Sequence, residues 1–200
     1  MRLTAEATIC GVRSHGETGT LVRLLTAEAG LVGAFVAGGR GRHLRPVLIP
    51  GNRVSAEIAT RSPQALPYAR VELLASRAPF LSEPLAAAAI GWLTTLTAAT
   101  LPERHPYPTL HAVLEAALDA VCHAPSARGW VPALLGYERL VLRELGYGEG
   151  SVDADQAVQI QRQATLIARH LFAERPLAEP RRDVMGARER LADLIARIAG

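Results

Sequence analysis

The chain of 200 residues contains no lysine, and all 22 of its basic residues are arginine. This absence excludes a Walker P-loop and a lysine Schiff base, because both require the lysine amine. Every fixed positive side-chain charge is therefore a guanidinium group, which stays protonated and suits bidentate contacts with phosphate. A coding bias toward arginine, alanine and glycine would give the same composition, so composition alone does not establish a nucleic-acid partner.

Cysteine, aromatic residues and long apolar runs are also scarce. The two cysteines, Cys10 and Cys122, cannot build a four-cysteine zinc site or a disulfide-dense scaffold, and Cys10 is expected in the core. Aromatic residues make up 4% of the chain, so Ala, Leu and Val must build the core, a composition that favours helices. The longest apolar run, residues 85–93, is too short and polar to span a bilayer, and no signal peptide is visible. We therefore expect a cytoplasmic protein without a membrane partner.

Charge divides the chain into two parts. Residues 1–80 contain ten arginines and five acidic residues, whereas residues 81–200 contain twelve arginines and fourteen acidic residues. The longest acid-free interval that contains arginines lies between Glu28 and Glu57 and holds Arg40, Arg42, Arg45 and Arg53. A basic N-terminal part joined to a slightly acidic remainder suggests two modules with different partners.

The N-terminal part reads as short extended segments separated by turn signals. Candidate strands lie at residues 6–12, 20–25, 31–37, 54–59 and 68–74, with a polar turn at residues 14–17 and a glycine-rich loop at residues 38–42. Residues 54–59 alternate between apolar and polar, as expected of a half-buried strand. Five short strands in this part of the chain predict a small barrel of the OB type.

From Pro84 onward the hydrophobic period lengthens to that of helices. Pro84 suits a first helical position, and the pattern predicts helices over residues 85–99, 110–121, 134–145, 158–172 and 184–198. Short loops between such helices predict an α-helical bundle, with Trp92 and Trp130 expected in its core. We therefore predict an α+β protein with a five-stranded OB-fold β-barrel at residues 1–80 and an α-helical bundle domain at residues 81–200.

The sequence shows no pattern that supports catalysis or a metal site. There is no Gly-x-Ser-x-Gly elbow, and the adjacency of Ser14 and His15 does not aim one side chain at the other. His111 and Glu115 lie four positions apart on a predicted helix, but no third ligand is placed with them. We therefore expect a protein that is not an enzyme and that holds no metal or cofactor.

The glycine-rich loop is the strongest candidate site. Gly38, Gly39 and Gly41 allow a backbone to approach a ligand closely, and Arg40 and Arg42 between them supply donors for phosphate. A positive groove beside such a barrel is typical of proteins that bind single-stranded nucleic acid. The alternative is a flexible hairpin whose arginines are only solvated. Because stacking aromatics are scarce here, phosphate contacts should dominate over base stacking.

A second basic set occurs near the C-terminus, where arginines and acidic residues mix at helical spacing. This pattern usually indicates a solvated, salt-bridged surface. A docking site for an acidic partner peptide or for the DNA backbone is the alternative. The arginines of this set are Arg175, Arg181, Arg182, Arg188 and Arg190.

Several segments resemble, in order, the RecO family of bacterial DNA-repair proteins. The N-terminal pieces are residues 6–9, Arg13, residues 15–17, residues 24–30, the VAGGR motif at residues 36–40 and residues 44–52. The later pieces are residues 101–104, Pro108, Glu138, Leu142 and the LGYG motif at residues 145–148. The ordered set spans most of residues 5–148, and its order makes it more specific than any single piece.

The resemblance implies an N-terminal OB-fold, a C-terminal helical domain and no enzymatic chemistry. Members of the family bind single- and double-stranded DNA and anneal complementary strands. They act with RecR to load RecA onto strands coated by single-strand-binding protein (SSB), whose acidic tail they bind. Many members carry a four-cysteine zinc module after the position of Tyr147, but no cysteine follows Cys122 in this chain. We therefore expect the zinc module to be missing or shortened.

The charges and the resemblance together predict a nucleoid-associated recombination mediator with no active site. Neutralisation of phosphates is expected from Arg40, Arg42, Arg45 and Arg53, with Arg13 and Arg23 as weaker candidates. The helical domain is expected to bind the SSB tail and RecR, with Arg139, Arg143 and Arg169 as candidates for the tail carboxylate.

The alternative is a non-catalytic protein-interaction adaptor whose barrel does not bind nucleic acid. Substituting Arg40, Arg42 and Arg45 by Ala separates the two hypotheses. A mediator would lose DNA binding while staying folded, whereas an adaptor would show no change toward DNA.

Overall fold

The computed structural model describes residues 2–62, 64–147, 167 and 181–199. Within these ranges the chain forms five strands, a short 3₁₀ helix at Ala78–Ser82 and four α-helices, which divide into two units. The barrel unit comprises residues 1–82 and 102–112, and the helical unit comprises residues 83–101 and 113–200. The segment 102–112, which follows the first long helix, thus belongs with the strands.

The five strands close into a barrel. They are β1 (Arg2–His15), β2 (Gly19–Thr26), β3 (Gly30–Val36), β4 (Arg53–Ala59) and β5 (Tyr68–Ala75), in the order β1-β2-β3-β5-β4 around the barrel. Neighbouring strands are antiparallel except β3 and β5, which run parallel. The predicted five-stranded barrel of the OB type is confirmed.

Alternating side chains along each strand build the barrel core. In β4, Val54, Ala56 and Ile58 are fully buried, whereas Glu57 between them is exposed. Alanine, valine, isoleucine and leucine side chains from all five strands build the core, and Cys10 is buried as predicted. The other strand residues of this core are Ala7, Ile9, Val22, Leu24, Val32, Ala34, Val36, Ala69 and Val71.

Strand β1 is longer than the sequence pattern predicts. Ser14 and His15, expected in a turn, pair with Thr20 and Gly19 of β2, so the turn is confined to residues 16–18. Gly16 in that turn has a φ of 63°, a conformation that glycine adopts without steric cost. The polar character of Ser14 and His15 reflects the exposed end of the strand and not a turn.

The helices are α1 (Pro84–Thr100), α2 (Pro108–His123), α3 (Ala127–Glu144) and α4 (Arg181–Ala199). Helix α1 begins at Pro84 as predicted. Helix α3 begins well before the predicted residue 134 and continues through Pro132, because Trp130, Val131 and Leu134 are buried on its inner side. Apart from residue 167, the helix predicted at residues 158–172 lies outside the described residues.

A buried polar cluster joins α1, α3 and α4. Trp92 Nε1 donates a 2.6 Å hydrogen bond to the Glu138 carboxylate, and Arg188 Nε lies 2.9 Å from the same group. The Arg188 guanidinium carbon also lies 5.6 Å from the centre of the Trp92 ring. Burial outweighs these favourable contacts and raises the pKa of Glu138. Arg188 is only 1% exposed, so the prediction that it lies on a solvated surface is wrong, whereas Trp92 and Trp130 are core residues as predicted.

Candidate nucleic-acid interface

A row of paired residues crosses four strands on the outer surface of the barrel. Arg13 of β1 pairs with Leu21 of β2, Leu21 with Phe35 of β3, and Phe35 with Tyr68 of β5. Directly paired residues on adjacent strands present their side chains on the same face of a sheet. Because Ala34, the neighbour of Phe35, belongs to the core, the row from Arg13 to Tyr68 lies on the outer face.

Three rings cluster at this row. The ring centres of His15 and Phe35 lie 5.9 Å apart, those of Phe35 and Tyr68 lie 5.5 Å apart, and both pairs are nearly perpendicular. The Phe35 ring occupies the space beside Gly19, where an added Cβ would come within 2.3 Å of it. Tyr68 remains 59% exposed, so its ring is accessible to a ligand.

This aromatic cluster was missed in the sequence, where aromatic residues only appeared scarce. His15, Phe35 and Tyr68 are separated by 20 and 33 positions, and no local spacing relates them. The closure of the barrel through the β3–β5 pair brings them together. Aromatic rings that lie together beside a basic surface can stack bases, even in a chain with few aromatic residues.

Arg40 links the glycine-rich segment to the β1–β2 turn. Its Nη1 donates hydrogen bonds to the carbonyl oxygens of Glu17 at 2.9 Å and Gly16 at 3.5 Å, and its amide donates to the Thr18 carbonyl at 3.3 Å. In OB-folds the loop between the first two strands is one of the segments that bind oligonucleotides. Arg40 therefore positions that loop, and its exposed side chain retains further N–H groups for phosphate.

Arg42 and Arg45 lie on an ordered turn between β3 and β4. The Arg45 amide donates a 2.9 Å hydrogen bond to the Gly41 carbonyl, which is the spacing of a helical turn. Residues three apart on such a turn lie on the same side. Both arginines are exposed, and neither forms an ion pair within the described part of the chain, although Arg42 Nε contacts the His43 ring at 3.3 Å.

The three glycines of this segment occupy different positions. Gly39 is buried, and an added Cβ would come within 2.6 Å of the Thr20 hydroxyl oxygen. Gly39 thus makes room for core packing and does not offer its backbone to a ligand, contrary to expectation. Gly38 and Gly41 are exposed, and Gly38 has space around its Cα.

Two of the predicted phosphate-binding arginines are engaged by carboxylates. Arg23 Nη2 lies 3.0 Å from the Glu103 carboxylate, and its side chain is only 17% exposed. Arg53 lies 3.9 Å from the Glu6 carboxylate. Arg53 is the first residue of β4, whereas Ala59, which pairs with Tyr68, is the last, so Arg53 and Ala59 are roughly 20 Å apart along the strand. Arg23 and Arg53 are therefore weaker candidates than the exposed arginines that no carboxylate engages within the described part of the chain, which are Arg13, Arg40, Arg42 and Arg45.

Two of the candidate partner-binding arginines lie one turn apart on α3. Arg139 is half-buried, whereas the Arg143 side chain is 66% exposed and its guanidinium lies 3.2 Å from the Glu144 carboxylate. Arg169 lies outside the described residues. Across the described ranges, no group of three His, Cys, Asp or Glu side chains could hold a metal, and no helix is long and apolar enough to span a bilayer.

Comparison with known proteins relates both units to a single family. The family model described as recombination protein O N terminal matches residues 1–77, and the model described as recombination protein O C terminal matches residues 81–150. The two matches cover the five barrel strands and the whole of α1, α2 and α3.

Curated relatives show the same family. The DNA repair protein RecO of Rhodospirillum centenum is 35% identical over 193 residues, which cover 90% of this chain and 76% of that protein. RecO of Phenylobacterium zucineum is 36% identical over 149 residues, which cover 74% of this chain and 60% of that protein. RecO of Caulobacter vibrioides is 38% identical over 144 residues, which cover 72% of this chain and 58% of that protein. The matched residues thus span about three fifths of the latter two proteins. The chain belongs to the RecO family.

Proposed function

We propose that the barrel binds DNA through the outer face around His15, Phe35 and Tyr68, and that the chain is a recombination mediator without an active site. Membership of the RecO family supports a role in DNA repair and recombination. The observation that carries the proposal is the row that joins Arg13 to the exposed ring of Tyr68, with Arg40 bonded to the adjacent turn. Guanidinium groups would contact phosphates, and the rings would contact unpaired bases.

The proposed activity on DNA includes the annealing of complementary strands. Two strands repel each other through their phosphate charges, and arginines that neutralise phosphates lower this repulsion while releasing counterions. Arg13, Arg42 and Arg45 are exposed and form no ion pair within the described ranges, so their charge is available for this purpose. Such a mechanism needs positive charge and accessible rings but no group that makes or breaks covalent bonds.

The proposal assigns the protein partners to the helical unit. With RecR, the chain would help to load RecA onto SSB-coated single strands at the nucleoid in the cytoplasm. Arg143 on α3 is 66% exposed, so its guanidinium, which contacts Glu144 in the free chain, could turn to the terminal carboxylate of an acidic SSB tail and bind it through two parallel hydrogen bonds. The half-buried Arg139 lies one turn earlier and offers its aliphatic stem to an apolar residue of the same tail.

The combined substitution of Arg13, Arg42 and Arg45 by Gln tests the DNA-binding proposal. Glutamine removes the charge while keeping a polar side chain at three exposed positions, so the fold should persist. We expect the affinity for a labelled single strand to fall by roughly 10- to 100-fold in low salt and strand annealing to slow accordingly.

Arg128→Gln is the matched control, because Arg128 is an exposed arginine in the first turn of α3. This variant should bind and anneal like the wild type. If the triple variant also binds and anneals like the wild type, the barrel face does not bind DNA through these arginines. A wild-type chain that binds no DNA at all would favour the alternative function, a protein-interaction adaptor.

A further inference from the structure

Tyr68 also borders an open groove on the outer surface of the barrel, with a volume of about 660 Å³. Besides Tyr68, the polar side chains that line it are Arg2, Thr4, Glu57 and Arg70. The apolar Ala37, at the start of the β3–β4 connection, lines it as well. None of the polar lining residues stood out in the sequence, because they are distributed over three strands. A volume of this size is within the range of sites that hold small molecules, roughly 300–1,000 Å³.

The strand register explains how the groove forms. Ala59 of β4 pairs with Arg2 on one side and with Tyr68 on the other, so a methyl group lies between two long side chains. Two positions earlier on β4, Glu57 pairs with Arg70 of β5. Residues two apart on a strand face the same side, so both rows lie on the outer surface. The small Ala59 therefore creates a depression between Arg2 and the Tyr68 ring.

The charged groups around this depression are exposed and have unused hydrogen-bonding capacity. Glu57 and Arg70 are direct cross-strand partners, yet they do not form an ion pair. Arg2 likewise has no carboxylate partner in the described part of the chain. Two guanidinium groups beside one carboxylate leave the groove positive. A phosphate would suit the guanidinium groups, and the carboxylate would accept a hydrogen bond from an N–H group of an unpaired base, such as N3–H of thymine.

We propose that this groove holds one unpaired nucleotide of a DNA single strand, with its base on the Tyr68 ring and its phosphate at Arg2 or Arg70. The inference rests on the proposed function, since it identifies which part of the DNA this face of the barrel binds. An accessible aromatic ring inside a positive groove is the arrangement by which proteins stack single-stranded bases. In a duplex both faces of a base are covered by its neighbours, so the groove favours single strands over duplex DNA.

The test compares two short strands of equal length and charge, an oligothymidine and an abasic strand, each binding to the full chain. The wild type should prefer the oligothymidine by roughly 5- to 100-fold, the effect expected of one stacked base. Tyr68→Ala should remove this preference and Tyr68→Phe should retain it. Tyr68→Leu keeps apolar bulk beside Phe35 without offering an aromatic face, so it should also remove the preference while preserving the packing.

Further variants distinguish the contribution of the Tyr68 ring to binding from that of the charged residues and from general effects of substitutions in β5. Arg2→Gln combined with Arg70→Gln should weaken binding of the two strands by the same factor, because phosphate is common to both. Leu73→Ala removes another exposed apolar side chain of β5 that does not line the groove, and it should leave the preference unchanged.

Each remaining outcome overturns the inference in a distinguishable way. If the wild type binds the two strands equally, the groove takes no base, although binding of phosphates by the barrel still stands. If the preference persists in Tyr68→Ala and Tyr68→Leu, the base binds elsewhere on the chain. If the wild type binds neither strand in low salt, the proposed function fails together with the groove.

Discussion

The Arg40 guanidinium donates a 2.9 Å hydrogen bond to the main-chain carbonyl of Glu17, which lies 23 positions earlier in the chain. This bond ties the first residues of the β3–β4 connection to the turn between β1 and β2. The same region carries the row from Arg13 to Tyr68 on the neighbouring strands. A side chain that the sequence marked only as a phosphate donor therefore also fixes the shape of the proposed interface.

Arg40→Ala is expected to act on both structure and binding. Loss of the bonds to Glu17 and Gly16 should raise the amide hydrogen-exchange rates of residues 16–18, and DNA affinity should fall as well. Arg42→Ala is the matched control, because Arg42 makes no bond to that turn; it should lower affinity without changing those rates. Equal exchange rates in the two variants would contradict the positioning role of Arg40.

Arg13 and Arg23 are expected to differ in their contribution to DNA binding. Arg13 is exposed beside the rings, whereas Arg23 is largely buried and paired with Glu103. Binding titrations should show that Arg13→Gln lowers the affinity for single strands several-fold, since each phosphate contact contributes about one unit to the salt dependence. Arg23→Gln should change the affinity less than Arg13→Gln does. The reverse ranking would show that DNA displaces Glu103 and uses Arg23.

Gly19→Ala is expected to disturb the aromatic cluster. The added Cβ would come within 2.3 Å of the Phe35 ring, so the ring must move away from its contacts with His15 and Tyr68. Overpacking of this kind costs about 1–3 kcal/mol in the free energy of unfolding, which denaturant titration measures. Gly136→Ala in α3 is the control, because nothing lies within 4 Å of its Cβ, and it should be neutral or stabilising. Equal stability of the two variants would contradict the close contact of Gly19 with Phe35.

Glu138 is expected to give the helical unit a distinctive pH dependence. Burial raises the pKa of Glu138 above its ordinary value of 4.5. The folded chain therefore binds a proton at the Glu138 carboxylate more tightly than the unfolded chain does. The stability from this group is therefore present at low pH and is lost as the pH rises through the raised pKa. Relative to the non-titrating Glu138→Gln, the unfolding free energy of the wild type should fall as the pH rises. A relative stability that increases with pH would contradict the raised pKa.

Glu138→Ala tests the same cluster by removing the acceptor. The substitution leaves the Arg188 guanidinium and the Trp92 indole N–H buried without the carboxylate that both contact. Breaking a buried ion pair in this way costs about 3–5 kcal/mol, measurable by chemical denaturation. A loss below about 1 kcal/mol would mean that the cluster is not buried as described.

The barrel could be predicted from the sequence because its local signals agree with its tertiary structure. Residues 54–59 alternate strictly, and the inward set of Val54, Ala56 and Ile58 is the set found in the core. The early start of α3 could not be predicted, because Gly129 and Pro132 disfavour helix locally and only the burial of Trp130 and Val131 compensates. Similarly, Arg188 looks like a surface residue until Glu138, 50 positions earlier, is placed beside it.

The candidate site was only partly predictable for the same reason. An arginine-rich stretch can be read from the sequence, but the carboxylate that pairs with each arginine cannot. Glu103, which engages Arg23, lies 80 positions away and reaches it only because the segment 102–112 belongs with the strands. The groove beside Tyr68 depends on the register of β1, β4 and β5, and no local pattern encodes it.

The most direct test of the central claim is the salt dependence of binding to a labelled single strand, measured by fluorescence anisotropy. If Arg13, Arg40, Arg42 and Arg45 each neutralise one phosphate, the logarithm of the binding constant should fall against the logarithm of salt concentration with a slope of roughly −3. In the triple Arg13, Arg42 and Arg45 to Gln variant the slope should shrink to roughly −1. A slope that is the same in both proteins, or no binding by the wild type in low salt, would contradict the account.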